Sequence, residues 1–175
     1  SYRSHNVSLD LGQTVSKIEG NDPVKVTTSN GTSFESDIVI LCVGFRPNTA
    51  LLNGKVKMSK GAIITNRYMQ SSDPNIYAAG DSAMVYYNPT GGLAYLPLAT
   101  NAVRQGVLVG KNIKKPTVKY MGTQASSGFK LYDRTIVSTG LNMGSAKINH
   151  IKAHQVIAKV NYRPAFMPTT QPVLM

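Results

Sequence analysis

The reading of this chain turns on the stretch Asp73-Pro74-Asn75-Ile76-Tyr77-Ala78-Ala79-Gly80-Asp81. Asp-Pro-Asn is turn chemistry: proline presets φ, and Asp and Asn side chains hydrogen-bond nearby backbone. Residues 76–79 form an unbroken apolar run, as a strand covered on both faces should, and Gly80-Asp81 stops it. An Asp directly after Gly at the C-terminal end of a buried strand stands at the crevice where α/β sheets take ligands. Its carboxylate can accept a hydrogen bond from a sugar-like hydroxyl, while Gly80 lets a ligand approach the backbone. Taken alone, the dipeptide is better read as a simple turn. Its surroundings change that.

Downstream, a Gly-rich loop through Gly91-Gly92 leads to Pro97, which opens a helical pattern. Leu98, Ala99, Ala102, Gly106, Val109, Gly110 and Ile113 fall on one face at helical spacing. Pro97 suits the first helical turn, where a missing N–H costs nothing. Gly106 and Gly110 each cost about 1 kcal/mol of helix propensity, and their expected use is close approach of the helix to a sheet. Leu96 is the apparent N-cap and cannot cap the helix with its own side chain. Pro116 ends the pattern.

Upstream, Ile38-Val39-Ile40-Leu41-Cys42-Val43 is continuously apolar and β-branched, which predicts a strand buried on both faces. It closes at Gly44, and the turn Phe45-Arg46-Pro47-Asn48 follows. A short strand is expected at Ala62-Ile63-Ile64-Thr65. Further back, Val7, Leu9 and Leu11 alternate with polar residues, the period of a half-buried strand. The runs 24–28 and 32–34 flank Asn30-Gly31, a strong hairpin signal because both residues tolerate positive φ. Residues 7–35 therefore read as a small antiparallel meander.

Beyond Thr123 the character changes. Residues 129–132, 135–139, 148–151 and 156–160 read as strands, and Asn161-Tyr162-Arg163-Pro164 breaks the pattern. The boundary is placed near residues 115–122.

Composition sets limits. The chain has 175 residues, 42% of them hydrophobic, enough for a real core. No run approaches the eighteen or so apolar residues a membrane helix needs. The single cysteine, Cys42, excludes an internal disulfide framework and a multi-cysteine metal site, and it fits a cytoplasmic location. Inside a buried strand it would be an inert structural thiol. Nineteen Lys and Arg against eight acids give a net charge of +11, which raises nucleic acid as a partner class. The bases are scattered and not interleaved with aromatics, so a solvated surface is the preferred reading and no nucleic acid is expected. His150 and His154 share helical spacing but need be no more than surface or core histidines.

The segment 73–81, followed by Pro97-Leu98-Ala99 and a Gly-spaced helix, resembles the second flavin-binding motif of the pyridine nucleotide–disulfide oxidoreductases. The resemblance implies that Asp81, with Gly80, holds the ribityl chain or adjacent phosphate of FAD. It implies too that the helix start at Pro97-Leu98-Ala99 offers backbone N–H groups to the flavin's N1/O2 edge. A helix N-terminus stabilises the negative charge a reduced flavin acquires. Residues 38–48 look like the strand and turn linking that family's NAD domain back to its FAD domain, with Gly44 at the cofactor. Asn161-Tyr162-Arg163-Pro164, with Phe166-Met167-Pro168, resembles the dimerisation domain of the NADH oxidase, NADH peroxidase and CoA-disulfide reductase branch. Within it the water-forming NADH oxidases look nearest. The loop bearing Tyr162 and Arg163 is expected at the partner subunit's active site, with packing on its own domain equally open.

The implied architecture is α/β, becoming α+β in the C-terminal part. Residues 1–52 would be the C-terminal part of an NAD-binding domain, 53–118 the second half of an FAD-binding domain, and 119–175 the start of a dimerisation domain. The implied activity passes hydride from NADH to FAD and on, through an upstream redox cysteine, to oxygen in a homodimer. Peroxide or CoA disulfide are the alternative oxidants. No Gly-x-Gly-x-x-Gly occurs, whereas the family uses two, so the chain is expected to be a C-terminal fragment, inactive by itself. From another class, a non-catalytic basic binding or dimerisation module is the rival.

Overall fold

The computed structural model describes residues 2–175, a mixed α/β chain whose paired strands are all antiparallel. It divides into two compact units, Ser1–Gly44 and Phe45–Met175.

The first unit is the expected meander: β1 (Val15–Glu19), β2 (Val24–Thr28) and β3 (Ser33–Ser36) in the order β1-β2-β3. The Asn30-Gly31 turn closes it as the sequence demands. Gly31 takes φ +87°, and the Asn30 side-chain oxygen accepts from the Thr28 hydroxyl at 2.7 Å and the Thr32 N–H at 3.0 Å.

Two expectations fail in this unit. Residues 7–11 form no strand, and Leu11 is exposed despite its alternating neighbours. The run 38–43 forms no strand and is unpaired, with Ile40 80% and Val43 88% exposed. A strand buried on both faces needs neighbours on both edges and layers above and below. Among the described residues none pairs with this one. Cys42 is accordingly an exposed free thiol, not the buried one expected.

In the second unit, β4 (Met58–Ser59) and β5 (Ala62–Ile63) form a tight hairpin over Lys60 and Gly61, both at positive φ. Val56, Ile63, Ala78 and Ala83 make one core cluster. The strand pair β6 (Val85–Tyr87) and β7 (Gly92–Ala94) leads into the helix α1 (Ala99–Asn112). Met69, Val85, Leu108 and Tyr120 make the second cluster, flanked by Tyr77, Leu96 and Val109. The core of the unit thus lies directly behind residues 76–85.

The helix presents a different face from the one its apolar spacing suggested. Its buried residues are Asn101, Gln105, Leu108 and Asn112, whereas Val103, Val107 and Ile113 face outward. Nothing lies within 4 Å of where a side chain would start at Gly106 or Gly110, so neither serves close approach. The amides win the interior because each finds backbone partners there. Asn112 alone donates to the Tyr68 and Val118 carbonyls and accepts from the Thr117 and Val118 N–H groups. Pro97 also lies outside the helix, one residue before the true N-cap, Leu98.

Residues 116–124 are stitched to the same unit. Tyr120 and Arg67 exchange hydrogen bonds of 2.6 and 2.8 Å, and the Arg67 guanidinium lies 4.4 Å from the Tyr86 ring centroid. Beyond them come the hairpin β8 (Ser127–Leu131) with β9 (Arg134–Ser138), the short helix α2 (Met143–Ile148) and the pair β10 (Lys159–Asn161) with β11 (Pro172–Leu174). The strand expected over 148–151 is instead the tail of α2 and its turn. Asn142 and Ser145 form a reciprocal capping box there, and this local cap outweighs the β-branched run that follows. Of the strand expected over 156–160, only its end is realised, in β10.

Candidate functional site

Around Asp81 the chain is held from three sides. Asn75 N–H donates to the Asp73 carboxylate at 2.9 Å, and Ile76 N–H to the Asp73 carbonyl at 3.0 Å, closing the turn the Asp-Pro-Asn sequence predicts. Residues 76–79 then run extended, although only Tyr77 makes a β-bridge, to Gln70. Ala78 N–H donates to Met69 at 3.0 Å, and the Tyr77 hydroxyl donates to the Asn112 carbonyl at 2.8 Å. The expected buried strand is thus an extended segment on the core, with Ala78 buried.

At Gly80 the chain swings into a single 3-10 turn, Gly80–Ser82, closed by Ala83 N–H donating to the Gly80 carbonyl at 3.0 Å. Gly80 sits at φ +70°, a left-handed conformation that costs other residues about 1–2 kcal/mol. A side chain there would begin 3.4 Å from the Ala102 Cβ, on the first turn of α1. Gly80 therefore brings the turn against the helix head, and Asp81 projects its carboxylate from an exposed position.

The head of α1 is open. Leu98 is extended and provides no side-chain cap; its carbonyl accepts from Asn101 N–H at 2.9 Å and Ala102 N–H at 3.0 Å. A helix leaves its first N–H groups without intrahelical partners, and here no side chain covers those at Ala99 and Thr100. Pro97 and Leu98 are half-buried and Ala99 is exposed. Four of the expected cofactor contacts, Gly80, Asp81, Leu98 and Ala99, with Pro97 beside them, belong to this turn and helix head.

Two residues of the neighbourhood were not anticipated. The Gln105 side chain, fully buried, accepts from Gly80 N–H at 2.6 Å, and its own Nε2 has no partner among the described residues. The Tyr95 hydroxyl is buried and likewise without a partner among the described residues. Burial, and then the Asp81 carboxylate, hold its pKa above the ordinary tyrosine value. The legible signal for the first was the series Asn101, Gln105, Asn112, amides at helical spacing where an apolar stripe was expected.

The remaining expected site residues belong to other segments of the chain. Gly44 has φ +91°, ends the first unit, and has no atom within 4 Å of a would-be Cβ. Tyr162 and Arg163 lie on the loop between β10 and β11. The Tyr162 hydroxyl donates to the Thr169 carbonyl at 2.7 Å, Arg163 donates to the Thr169 hydroxyl at 2.7 Å, and the guanidinium stacks 5.1 Å from the Tyr162 ring centroid. Among the described residues no group of three or more His, Cys, Asp or Glu side chains could hold a metal ion. No helix of the described residues is long and apolar enough to cross a membrane.

An open turn against a bare helix head suits a ligand carrying both hydroxyl and acceptor groups, and FAD fits it. Its ribityl hydroxyls match the Asp81 acceptor, and its pyrimidine edge matches the N–H donors of α1.

Comparison with known proteins bears on this fit. Residues 1–106 match the family model described as pyridine nucleotide-disulphide oxidoreductase. An NADH oxidase of Enterococcus faecalis is 51% identical over 172 residues, 97% of this chain and 39% of that protein. The water-forming NADH oxidase from Lactobacillus brevis, solved bound to NADH, superposes with a TM-score of 0.91 at 62% identity, covering 99% of this chain and 39% of that one. An NAD-dependent persulfide reductase from A. fulgidus superposes at 0.88 with 30% identity, over 99% of this chain and 32% of its own. The chain thus spans about two fifths of the length of the curated relatives it matches.

Proposed function

Because the chain belongs to the pyridine nucleotide-disulphide oxidoreductase family, we propose that it contributes the ribityl and pyrimidine contacts of an FAD site in an NADH-oxidising flavoprotein. One observation carries this reading: the Gly80-Asp81 turn is fixed against the uncapped head of α1. Asp81 would accept from a ribityl hydroxyl. A hydrogen bond to a charged group contributes about 1.5–3 kcal/mol. The N–H groups of Ala99 and Thr100 would meet the N1/O2 edge, where the helix dipole adds about 0.3–1 kcal/mol to stabilising negative charge. When bound, FAD supplies the two-electron chemistry that accepts hydride from NADH. Pro97 and Leu98 exclude water from one side of that edge.

Within this reading, residues 1–52 close an NAD-binding domain with Gly44 near the cofactor, 53–118 complete the FAD-binding domain, and 119–175 open a dimerisation domain. The Tyr162-Arg163 loop would approach the partner subunit's active site in a homodimer, held in shape by Thr169. By the family resemblance, electrons would leave through an upstream redox cysteine rather than Cys42, in a cytoplasmic enzyme. The similarity to NADH oxidases favours oxygen as the oxidant, reduced to water, over peroxide or CoA disulfide.

The test is direct. The full-length gene product should purify yellow, bleach with NADH under argon, and consume oxygen without releasing peroxide. D81A should raise the FAD Kd about 10- to 100-fold, read by flavin fluorescence. A D81A protein holding FAD as tightly as wild type would end the reading. A colourless chain of residues 1–175 is the expected companion result; yellow colour with NADH oxidation by that chain alone would refute its role as a half-site.

A further inference from the structure

The buried amide of Gln105 calls for an explanation. Burying a side-chain amide costs free energy unless its donors and acceptor are all used, and a buried donor left without a partner bears its desolvation cost in full. Gln105 is fully buried, yet only its oxygen is engaged, by Gly80 N–H at 2.6 Å. Its Nε2 finds no partner among the described residues. The orientation is fixed, since turning the amide over would face two N–H donors toward each other. Leucine or methionine would fill the same volume beside Leu108 without that cost. The fold retains a polar group whose one engaged atom holds the residue before Asp81.

That residue needs holding. Gly80 is at φ +70°, a conformation glycine leaves readily, and no side chain caps the 3-10 turn it begins. Among the described residues, the only side-chain hydrogen bond to this turn's backbone is the one that Gln105 accepts from Gly80 N–H. Gln105 lies about 1.7 helical turns along α1 from Ala99, so the same rigid helix carries both the donors at its head and the strut beneath Gly80. From this geometry we infer that Gln105 is a positioning residue: it locks the Gly80-Asp81 turn to α1, so that the Asp81 carboxylate and the helix-head N–H groups keep one fixed spacing for a single polyhydroxylated ligand. The inference rests on the FAD reading above. The residue itself touches no ligand; its effect passes through Asp81.

The experiment is a double-mutant cycle on the full-length apoprotein, titrated with FAD and followed by quenching of flavin fluorescence. Gln105→Met keeps the volume and removes the acceptor; it should raise the FAD Kd at least tenfold, about 1.4 kcal/mol. In a D81A background the same substitution should change the Kd less than twofold, because the turn it positions no longer carries the acceptor. Should the methionine variant fail to yield folded apoprotein, Gln105→Asn, one methylene too short to reach Gly80, carries the same expectation. Equal losses in both backgrounds would show general destabilisation and overturn the inference. A Kd within twofold of wild type for Q105M, with D81A still weakened, would overturn it while leaving the FAD reading intact. If D81A itself binds FAD like wild type, the site reading fails and the positioning role falls with it.

Discussion

Residues 38–44 and 76–80 look alike on paper and differ in the folded chain. Each is an apolar, strand-like run ending at a glycine in the left-handed region, Gly44 at φ +91° and Gly80 at φ +70°. One is anchored on a core cluster and delivers Asp81 to a helix head. The other forms no strand, with Ile40 and Val43 in solvent and no strand beside it among the described residues. An apolar run states that burial would be favourable; it does not say which atoms will provide it. Residues 76–80 find theirs nearby, in Met69, Asn112 and Gln105.

The largest expected effect sets the core cluster behind residues 76–80 against the uncovered run. Ile63, 4% exposed, packs in the same cluster as Ala78, and Ile63→Ala should cost about 2–5 kcal/mol by urea denaturation of this chain. Ile40→Ala removes the same atoms from a side chain already in water and should change stability by no more than about 0.5 kcal/mol. Equal losses at the two positions would mean that 38–43 is buried in solution after all.

The two glycines sharpen the contrast. Alanine at either must adopt positive φ, so G44A and G80A should each lose about 1–2 kcal/mol from the backbone alone. Only G80A adds a methyl against the helix, 3.4 Å from Ala102. On the FAD reading, G80A should weaken flavin binding in the full-length protein beyond what D81A predicts for the carboxylate alone, while G44A gives a smaller loss. A flavin titration of both settles the order.

What the sequence made legible follows the same division. Turn chemistry is local, so Asn30-Gly31 and Asp73-Pro74-Asn75 fold as read, and so do β8 and β9. The break at Gly80-Asp81 was legible for the same reason, and so was an uncapped start for α1, although that start falls at Ala99 with Leu98 as N-cap, two residues later than the sequence suggested. What escaped depends on remote partners. The buried face of α1 went to Asn101, Gln105 and Asn112 because carbonyls distant in sequence, such as that of Tyr68, could accept from them. Periodicity of apolar residues could not register that preference. Likewise the strand expected at 148–151 yielded to a two-residue cap at Asn142 and Ser145, upstream of the β-branched residues themselves.

A smaller effect concerns alkaline pH. Tyr95, Tyr87 and Tyr120 each have a hydroxyl pKa raised in the folded chain, chiefly by burial. A raised folded-state value means that the unfolded chain releases its protons first as pH climbs. Stability from these groups is therefore complete below about pH 10, the unfolded tyrosine value, and is lost as pH rises through the folded values. All three belong to the second unit and none to residues 38–44. Tyr95→Phe should flatten part of the loss seen in urea midpoints above pH 10, and an unchanged slope would remove Tyr95 from the account.

The smallest expected effect is the most diagnostic for the exposed run. Cys42 was read as an inert thiol inside a buried strand and is exposed instead. A thiol in an apolar core reacts only when the chain opens, whereas an exposed one reacts at the rate of its thiolate. In native residues 1–175, Cys42 should be titrated by a water-soluble disulfide reagent as fast as in urea, and C42S should shift stability by no more than about 0.5 kcal/mol. The full-length protein makes this a measure of the comparison itself. If the remainder of the gene product supplies the layers that residues 38–43 lack here, the thiol will be protected there, while Ile63 stays as buried as it already is. Equal reactivity in both would show that the apolar run is solvent-exposed by design rather than for want of a partner.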